Sequence, residues 1–215
     1  MRVSTIRPGR LWGALWLLGV AMMLASVAEA QSVSGQAYGA LVRSAFGTQQ
    51  SAVAVLPAVS ADDGAMSDDA AAGMSVPGMI STEALTGTTS GSIADVAAAQ
   101  SVATVFNVSL LNGLITANSL TATVSSTSDG AQATSNALGS TFEDLVVNGV
   151  RLTSGDGTIA PNTQITLPGV GYVVLNEQLP SGDGVRTSGL TVNLVHAVLS
   201  SGEIIVGSAS SSATR

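Results

Sequence analysis

No cysteine occurs in the 215 residues, which excludes structural disulfides, thiolate metal sites and lipid attachment through an N-terminal cysteine. Lysine is absent as well, so every basic side chain is an arginine. Histidine occurs once, as His196, and that removes multi-histidine zinc sites, including the H-E-x-x-H arrangement of metalloproteases. Aromatic residues are only 3% of the chain. Beyond residue 30 they are Tyr38, Phe46, Phe106, Phe142 and Tyr172, few for stacking on sugar rings. Charge is scarce and of one sign: Arg43, Arg151, Arg186 and Arg215 stand against thirteen carboxylates in that part, a net charge of about −9. An acidic surface without a basic stripe repels phosphate backbones and anionic headgroups, so nucleic acid is excluded as a partner.

What the chain does have begins with the layout of an export signal. Arg2, Arg7 and Arg10 give a positive start, residues 11–27 form an uncharged apolar run, and Ala28-Glu29-Ala30 is a small-x-small cleavage site. Cleavage after Ala30 is expected, leaving Gln31 first and no membrane insertion afterwards. The run is at the lower edge of bilayer-spanning length, so an uncleaved anchor is the alternative. About 185 residues remain, enough for one domain with a core that needs no staples. The expected location is extracellular or in the cell envelope.

Ala and Val supply much of the 46% hydrophobic content, with Gly, Ser and Thr between them, a composition that favours strands and turns. Residues 31–46 and 51–56 read as a first strand pair around Gly47-Thr48, ended by Pro57. Residues 58–78, with Asp62-Asp63 and Asp68-Asp69, read as an acidic loop. A calcium site is the sharper reading of those aspartates, but they lack the D-x-D-x-D-G spacing and distal Glu that would make it specific.

Strand character returns at 80–89 and is dense at 101–111, where period two places Val102, Phe106, Val108 and Leu110 on one face. Asn112-Gly113 between apolar flanks is a strong hairpin signal, with 114–124 as the returning strand and Asp129-Gly130 marking the next turn. The segment from Phe106 to Leu114 lines up with that from Phe142 to Val150, both carrying Asn-Gly at the same offset; two copies favour reuse of hairpin chemistry over a solenoid. Further hairpins are expected at 163–176 and 189–209. No long amphipathic helix is apparent after residue 30. The expected fold is all-β, an antiparallel hairpin-rich β-sandwich, with a barrel or short solenoid as alternatives. One domain over 31–211 and a flexible tail at 212–215 complete the expected organisation.

The order NVSLLNGLITANSLTATVSS, LVVNG, PNTQITLPGVGYVVLNEQ and LTVNLVHAVLSSGEIIVGSAS resembles the bacterial choice-of-anchor P family. Val192, Asn193 and His196, then Ile204, Ile205 and Ser208, occupy places in its Val-Asn-Ala-Leu-His-Val-like and Ile-Ile-x-x-Ser strands. Leu194-Val195 departs from the pattern. The resemblance covers residues 79–210 and implies an exported surface protein of uncharacterised activity. No apolar tail follows Ser208, so a tether would be the uncleaved N-terminus or a partner.

Chemistry has few candidates. His196 alternates with Val192, Leu194 and Val198, which reads as a partly buried strand residue, and there is no Gly-x-Ser-x-Gly elbow for a Ser-His-acid triad. Glu143, Asp144, Asp156, Glu177 and Asp183 are the carboxylates available for paired acid-base work. Asp156 and Asp183, each in Ser-Gly-Asp-Gly, read as turn residues; Glu177, at a strand end, is the first to mutate. Gly169-Val170-Gly171 sits in a hairpin and is rejected as a phosphate loop. The sequence thus assigns no catalytic, cofactor or metal residue. It favours a non-catalytic secreted or envelope-associated domain in a surface, matrix, adhesion or accessory role, partnered by envelope or matrix components. The alternatives are an extracellular hydrolase using His196 or a carboxylate pair, and a calcium-stabilised binding module.

Overall fold

The computed structural model describes residues 31–59 and 64–215, so the expected export signal and Asp62-Asp63 lie outside the described residues. In chain order the strands begin with β1 (Ser32–Ser44), β2 (Gly47–Val55), β3 (Gly64–Ala71), β4 (Met74–Val76), β5 (Ile80–Thr82) and β6 (Leu85–Ile93). The long β7 (Ala97–Leu110) and β8 (Ile115–Ser128) follow, then the short β9 (Ala133–Asn136), β10 (Thr141–Glu143), β11 (Val146–Val147), β12 (Val150–Arg151) and β13 (Asp156–Gly157). β14 (Thr163–Leu167), β15 (Gly171–Gly182), β16 (Thr187–Leu199) and β17 (Gly202–Thr214) complete the chain. Every pairing is antiparallel. Among the described residues there is no helix, and the strands form two open sheets, a β-sandwich rather than a barrel.

The smaller sheet has the order β14-β15-β16-β17-β1-β2; the larger holds β3 to β13 around the β7-β8 hairpin. Their inner faces share one core, in which Val42, Val192, Leu194, Val195, Ile204 and Val206 meet Leu85, Val105, Leu110, Ile115 and Leu120. Alanine recurs at inner positions, at Ala37, Ala40, Ala103 and Ala122, and brings the layers close. Gly39 shows how close: a Cβ there would lie 2.6 Å from Leu85 Cβ. The richness in Ala and Gly is thus a packing requirement of a thin sandwich as much as a strand preference.

Midway along each sheet one row of residues leaves the ladder. In the smaller sheet it runs Asn176, Leu194, Gly207, Gly39 and Ala52; pairing resumes beyond it with no residue gained or lost. Alternate members are left-handed, Asn176 at φ 50°, Gly207 at 65° and Ala52 at 55°. Asn107 and Asp144, both at φ 50°, flank Asn118 in the same way in the larger sheet. A left-handed residue turns the next peptide over, so inward and outward positions exchange phase beyond it. β7 buries Ala103 and Val105 before Asn107 but Val108 and Leu110 after it; β17 buries Ile204 and Val206 before Gly207 but Ala209 and Ala213 after it.

This crease corrects the period-two reading of β7. Val102 and Phe106 face outward, Phe106 at 43% exposure, while Val108 and Leu110 face the core. The Asn-Gly pairs also differ. Asn148-Gly149 is a two-residue reversal with both φ positive, between Val147 and Val150; Asn112-Gly113 lies inside a four-residue loop in which Leu111 is left-handed too. With Phe106 outward and Phe142 at 1% exposure, the two similar segments are not equivalent units.

Two expected irregular segments are ordered strands. Within 58–78, β3 pairs with β6 and β4 with β5; Asp69 accepts the Val53 N–H at 2.8 Å, so its carboxylate stitches β3 to the edge strand β2. Residues 212–214 of the expected tail belong to β17, where Ala213 is buried, and Arg215 hydrogen bonds Arg186 and Ala94. Residues that looked like solvated loop or tail by composition gain their order from cross-strand partners, which composition does not encode.

Candidate functional site

The two residues that the sequence singled out as most able to do chemistry, His196 and Glu177, are in contact. Glu177 on β15 stands opposite Asn193 on β16, which pairs with Ser208 on β17, which pairs with Tyr38 on β1. These four make one row across the outer face of the smaller sheet. On the far side of the crease, His196 pairs with Ile205, which pairs with Leu41; one step further Glu203 pairs with Arg43. Because of the phase change, His196 shares its face with Asn193 and Val198, not with Val192 and Leu194, which are in the core. That overturns the simple alternation read from the sequence.

A continuous polar network results. His196 Nδ1 lies 2.9 Å from Glu177 Oε2, and Nε2 lies 3.3 Å from Glu203 Oε2. Asn193 Nδ2 donates to the same Glu177 oxygen at 2.6 Å, and Ser208 Oγ donates to Asn193 Oδ1 at 2.7 Å. Tyr38 hydrogen bonds Ser208, and Arg43 Nη1 donates to Glu203 Oε1. Burial pushes the Tyr38 phenol above its ordinary pKa, opposed by the Ser208 hydrogen bond and the nearby Arg43 charge. Asn193 and Ser208 are buried, while the His196 and Glu177 side chains keep 17% and 16% exposure. A neutral imidazole has one N–H for its two carboxylates; the imidazolium can donate to both.

For hydrolysis this geometry lacks a nucleophile. In a Ser-His-acid triad one ring nitrogen takes an acid and the other a serine hydroxyl. Here both nitrogens take carboxylates, and the nearest serine in the network gives its proton to Asn193. Glu177 and Glu203 flank an imidazole, not a cleft that could hold a sugar ring. The arrangement holds four strands together and presents a half-buried ion network at a sheet surface.

The other carboxylates serve local structure. Asp183 accepts three backbone N–H groups, from Val185, Arg186 and Thr187, and Asp129 accepts those of Ala131 and Gln132. Those hydrogen bonds hold both acids below the ordinary aspartate value. Asp183 is thus the turn residue expected; Asp156, expected in a turn, pairs with Glu143 in the β10-β13 bridge. Glu143 accepts the Ser119 hydroxyl, while Asp144 binds Asn118, Arg151 and the Gly155 N–H at the crease. Among the described residues no three His, Asp or Glu side chains are grouped as metal ligands.

Sequence reasoning missed Glu203, Arg43 and Tyr38, whose membership depends on strand order. Asn193 and Ser208 had a signal: with His196 they are residues that carry the choice-of-anchor P resemblance, and all three fall in this network. No protein-family model matches the chain, and neither does any curated protein or solved structure.

Proposed function

We propose that this chain is a secreted or cell-envelope-associated, non-catalytic β-sandwich that works by presenting surface, in an adhesion, matrix or accessory role of the kind the choice-of-anchor P resemblance implies. One observation carries the reading: β6, β7, β8 and β9 contain no charged residue, yet one face of them is open to water. Their outward side chains form rows of hydroxyls and amides: Thr86, Thr104 and Thr121; Thr88 and Thr123; Ser90, Gln100, Ser125 and Asn136; Ser92, Thr127 and Thr134. Solvated protein surfaces ordinarily intersperse both signs of charge, which keeps them from adhering. A neutral face of donors and acceptors on an otherwise acidic molecule is suited to neutral, hydroxyl-bearing envelope or matrix components, with no ionic penalty at the contact.

Fractionating cells and medium, with mass spectrometry of the N-terminus, tests location; Gln31 as first residue outside the cytoplasm is the expected result. Co-sedimentation of the purified chain with envelope fragments and insoluble neutral polysaccharide tests the role. Thr88→Lys with Thr123→Lys should abolish sedimentation without altering the melting temperature. A cytoplasmic, uncleaved and non-adherent chain sinks the proposal.

A further inference from the structure

At the end of the sandwich where the β1-β2, β4-β5 and β16-β17 turns meet, the chain holds a hollow of about 400 Å³. Among the described residues its walls are Val42, Phe46, Val76, Pro77 and Met79, with Gln49 the one amide among the polar neighbours and no charged side chain in the lining. Phe46 stands beside it at the tip of the β1-β2 hairpin, 102% exposed, with only its N–H tied, to Ser44 Oγ at 3.2 Å. Turn chemistry does not explain a phenylalanine here. Ser44 pairs with Gly47, so the connection is Ala45-Phe46, and the positive φ belongs to Gly47. A two-residue hairpin favours Asn, Asp or Gly, and a fully wet aromatic ring costs hydration without stabilising the fold.

We infer that this hollow is a binding site for a small, neutral, mainly apolar molecule that would give the exposed Phe46 ring its apolar partner, with the Gln49 amide matching one neutral polar group. The volume falls in the lower range of small-molecule pockets, and the walls are of the apolar kind such pockets use. Charge selects within that class: none of the described lining residues pairs with an ion, and a chain with formal net charge −7 repels anions. Size argues against a second copy as the occupant. A stable protein interface buries about 800 Å² on each partner, and one hairpin tip with one ring falls well short of that. The site lies at the turn end of the sandwich, away from the neutral face of β6–β9, and does not depend on the role proposed for that face.

The test is titration of the purified full chain with N-phenyl-1-naphthylamine, a neutral fluorescent probe, alongside its anionic sulfonate analogue. Saturable one-to-one binding of the neutral probe, weakened about tenfold or more by Phe46→Ala and by the mouth-filling Ser201→Trp, is expected. The anionic analogue should bind more weakly. Both variants alter exposed turn positions, and unchanged melting temperatures would show that they fold. Non-saturable uptake, or equal binding by wild type and Phe46→Ala, overturns the inference. So does a monomer-dimer equilibrium in sedimentation that Phe46→Ala abolishes, because the occupant would then be a second copy.

Discussion

Glu177 Oε2 lies 2.9 Å from His196 Nδ1 although the two residues stand opposite different partners, Glu177 facing Asn193 and His196 facing Val174. In an unbroken ladder, residues offset by three positions along neighbouring strands point to opposite faces. Here the crease at Asn176, Leu194 and Gly207 lies between them and returns both side chains to one surface. The ion network is therefore a product of the crease, and a network side chain can be removed while the crease is kept.

Removing one network partner should destabilise the fold. Glu177→Ala leaves the Asn193 amide and the His196 ring without their shared acceptor, and a half-buried unpaired group costs about 1–3 kcal/mol. Urea unfolding followed by circular dichroism should show that loss. A fluorophosphonate probe, which labels activated serines, should leave both wild type and variant unmodified; labelling at Ser208 would show a nucleophile the network does not supply.

The crease itself should resist side chains that dislike left-handed backbone. Gly207→Ala places a Cβ at φ 65°, 3.2 Å from Leu194 Cδ1, and should cost about 1–2 kcal/mol from backbone strain. Asn107→Val should destabilise for the same reason, since a β-branched residue replaces one that tolerates φ 50°. Asn107→Gly keeps the backbone state and loses only the Glu83 hydrogen bond, so its melting temperature should stay close to that of wild type.

Sandwich thickness can be probed at Gly39. Gly39→Ala drives a methyl into Leu85 and should cost about 1–3 kcal/mol by overpacking. Leu85→Ala alone should cost about 2–5 kcal/mol through the cavity it leaves. The double variant should be more stable than the sum of the two losses, because the new methyl enters the space the leucine vacated. Strict additivity in denaturant midpoints would show that the two sheets do not meet there.

Acid sensitivity should map to the turn aspartates. Asp183 is held below its ordinary value by backbone N–H groups, the Thr187 bond being the largest. Its stabilisation is full above the unfolded value near ~3.9 and is lost as pH falls through the lower folded value. Asp183→Asn should therefore lower the melting temperature at pH 7, and the difference from wild type should shrink as pH falls below the ordinary aspartate value through the lowered folded one. An equal effect across that range would place the contribution in hydrogen-bond geometry rather than in charge.

Between the sheets, a chain of hydroxyls runs Ser188, Ser135, Ser126 and Ser211 with separations of 2.7, 2.8 and 2.7 Å. Ser126→Ala removes its centre, leaves the buried Ser211 hydroxyl without its partner while Ser135 keeps Ser188, and should cost about 1–3 kcal/mol by thermal or chemical unfolding. A neutral outcome would mean that water or the Ser211 carbonyl region takes over the bonds.

Much of the fold is legible in the sequence because its signals are local. Asn148-Gly149, Pro168-Gly169 and Ser200-Ser201 sit where reversals occur, and the alternation at 189–193 and the β-branched run at 204–206 mark real strands. The errors arise where a long-range partner decides. Period two assumes extended backbone at Asn107, whose φ is 50°, and so places Val102 and Phe106 on the face of Val108. The acidic stretch at Asp68-Asp69 reads as a solvated loop and is exposed, yet Thr88, Gly87 and Val53 stand across from it and hold it as strand. Of the site, Glu177 and His196 were visible as isolated candidates. Glu203 and Arg43 were not, since nothing local says that β1, β16 and β17 are neighbours.

The sequence alone determines the material: no disulfide or thiolate chemistry, one imidazole, an acidic surface, small residues at strand spacing, and turns set by Asn, Gly and Pro, each a property of residues and their near neighbours. Only the tertiary structure decides which strands adjoin, where the alternation reverses, and hence that His196 meets two carboxylates instead of the core. The physical reason is that ladder pairing and backbone handedness at Asn176, Gly207 and Asn107 are fixed by neighbours far along the chain, and one left-handed residue redirects every side chain after it.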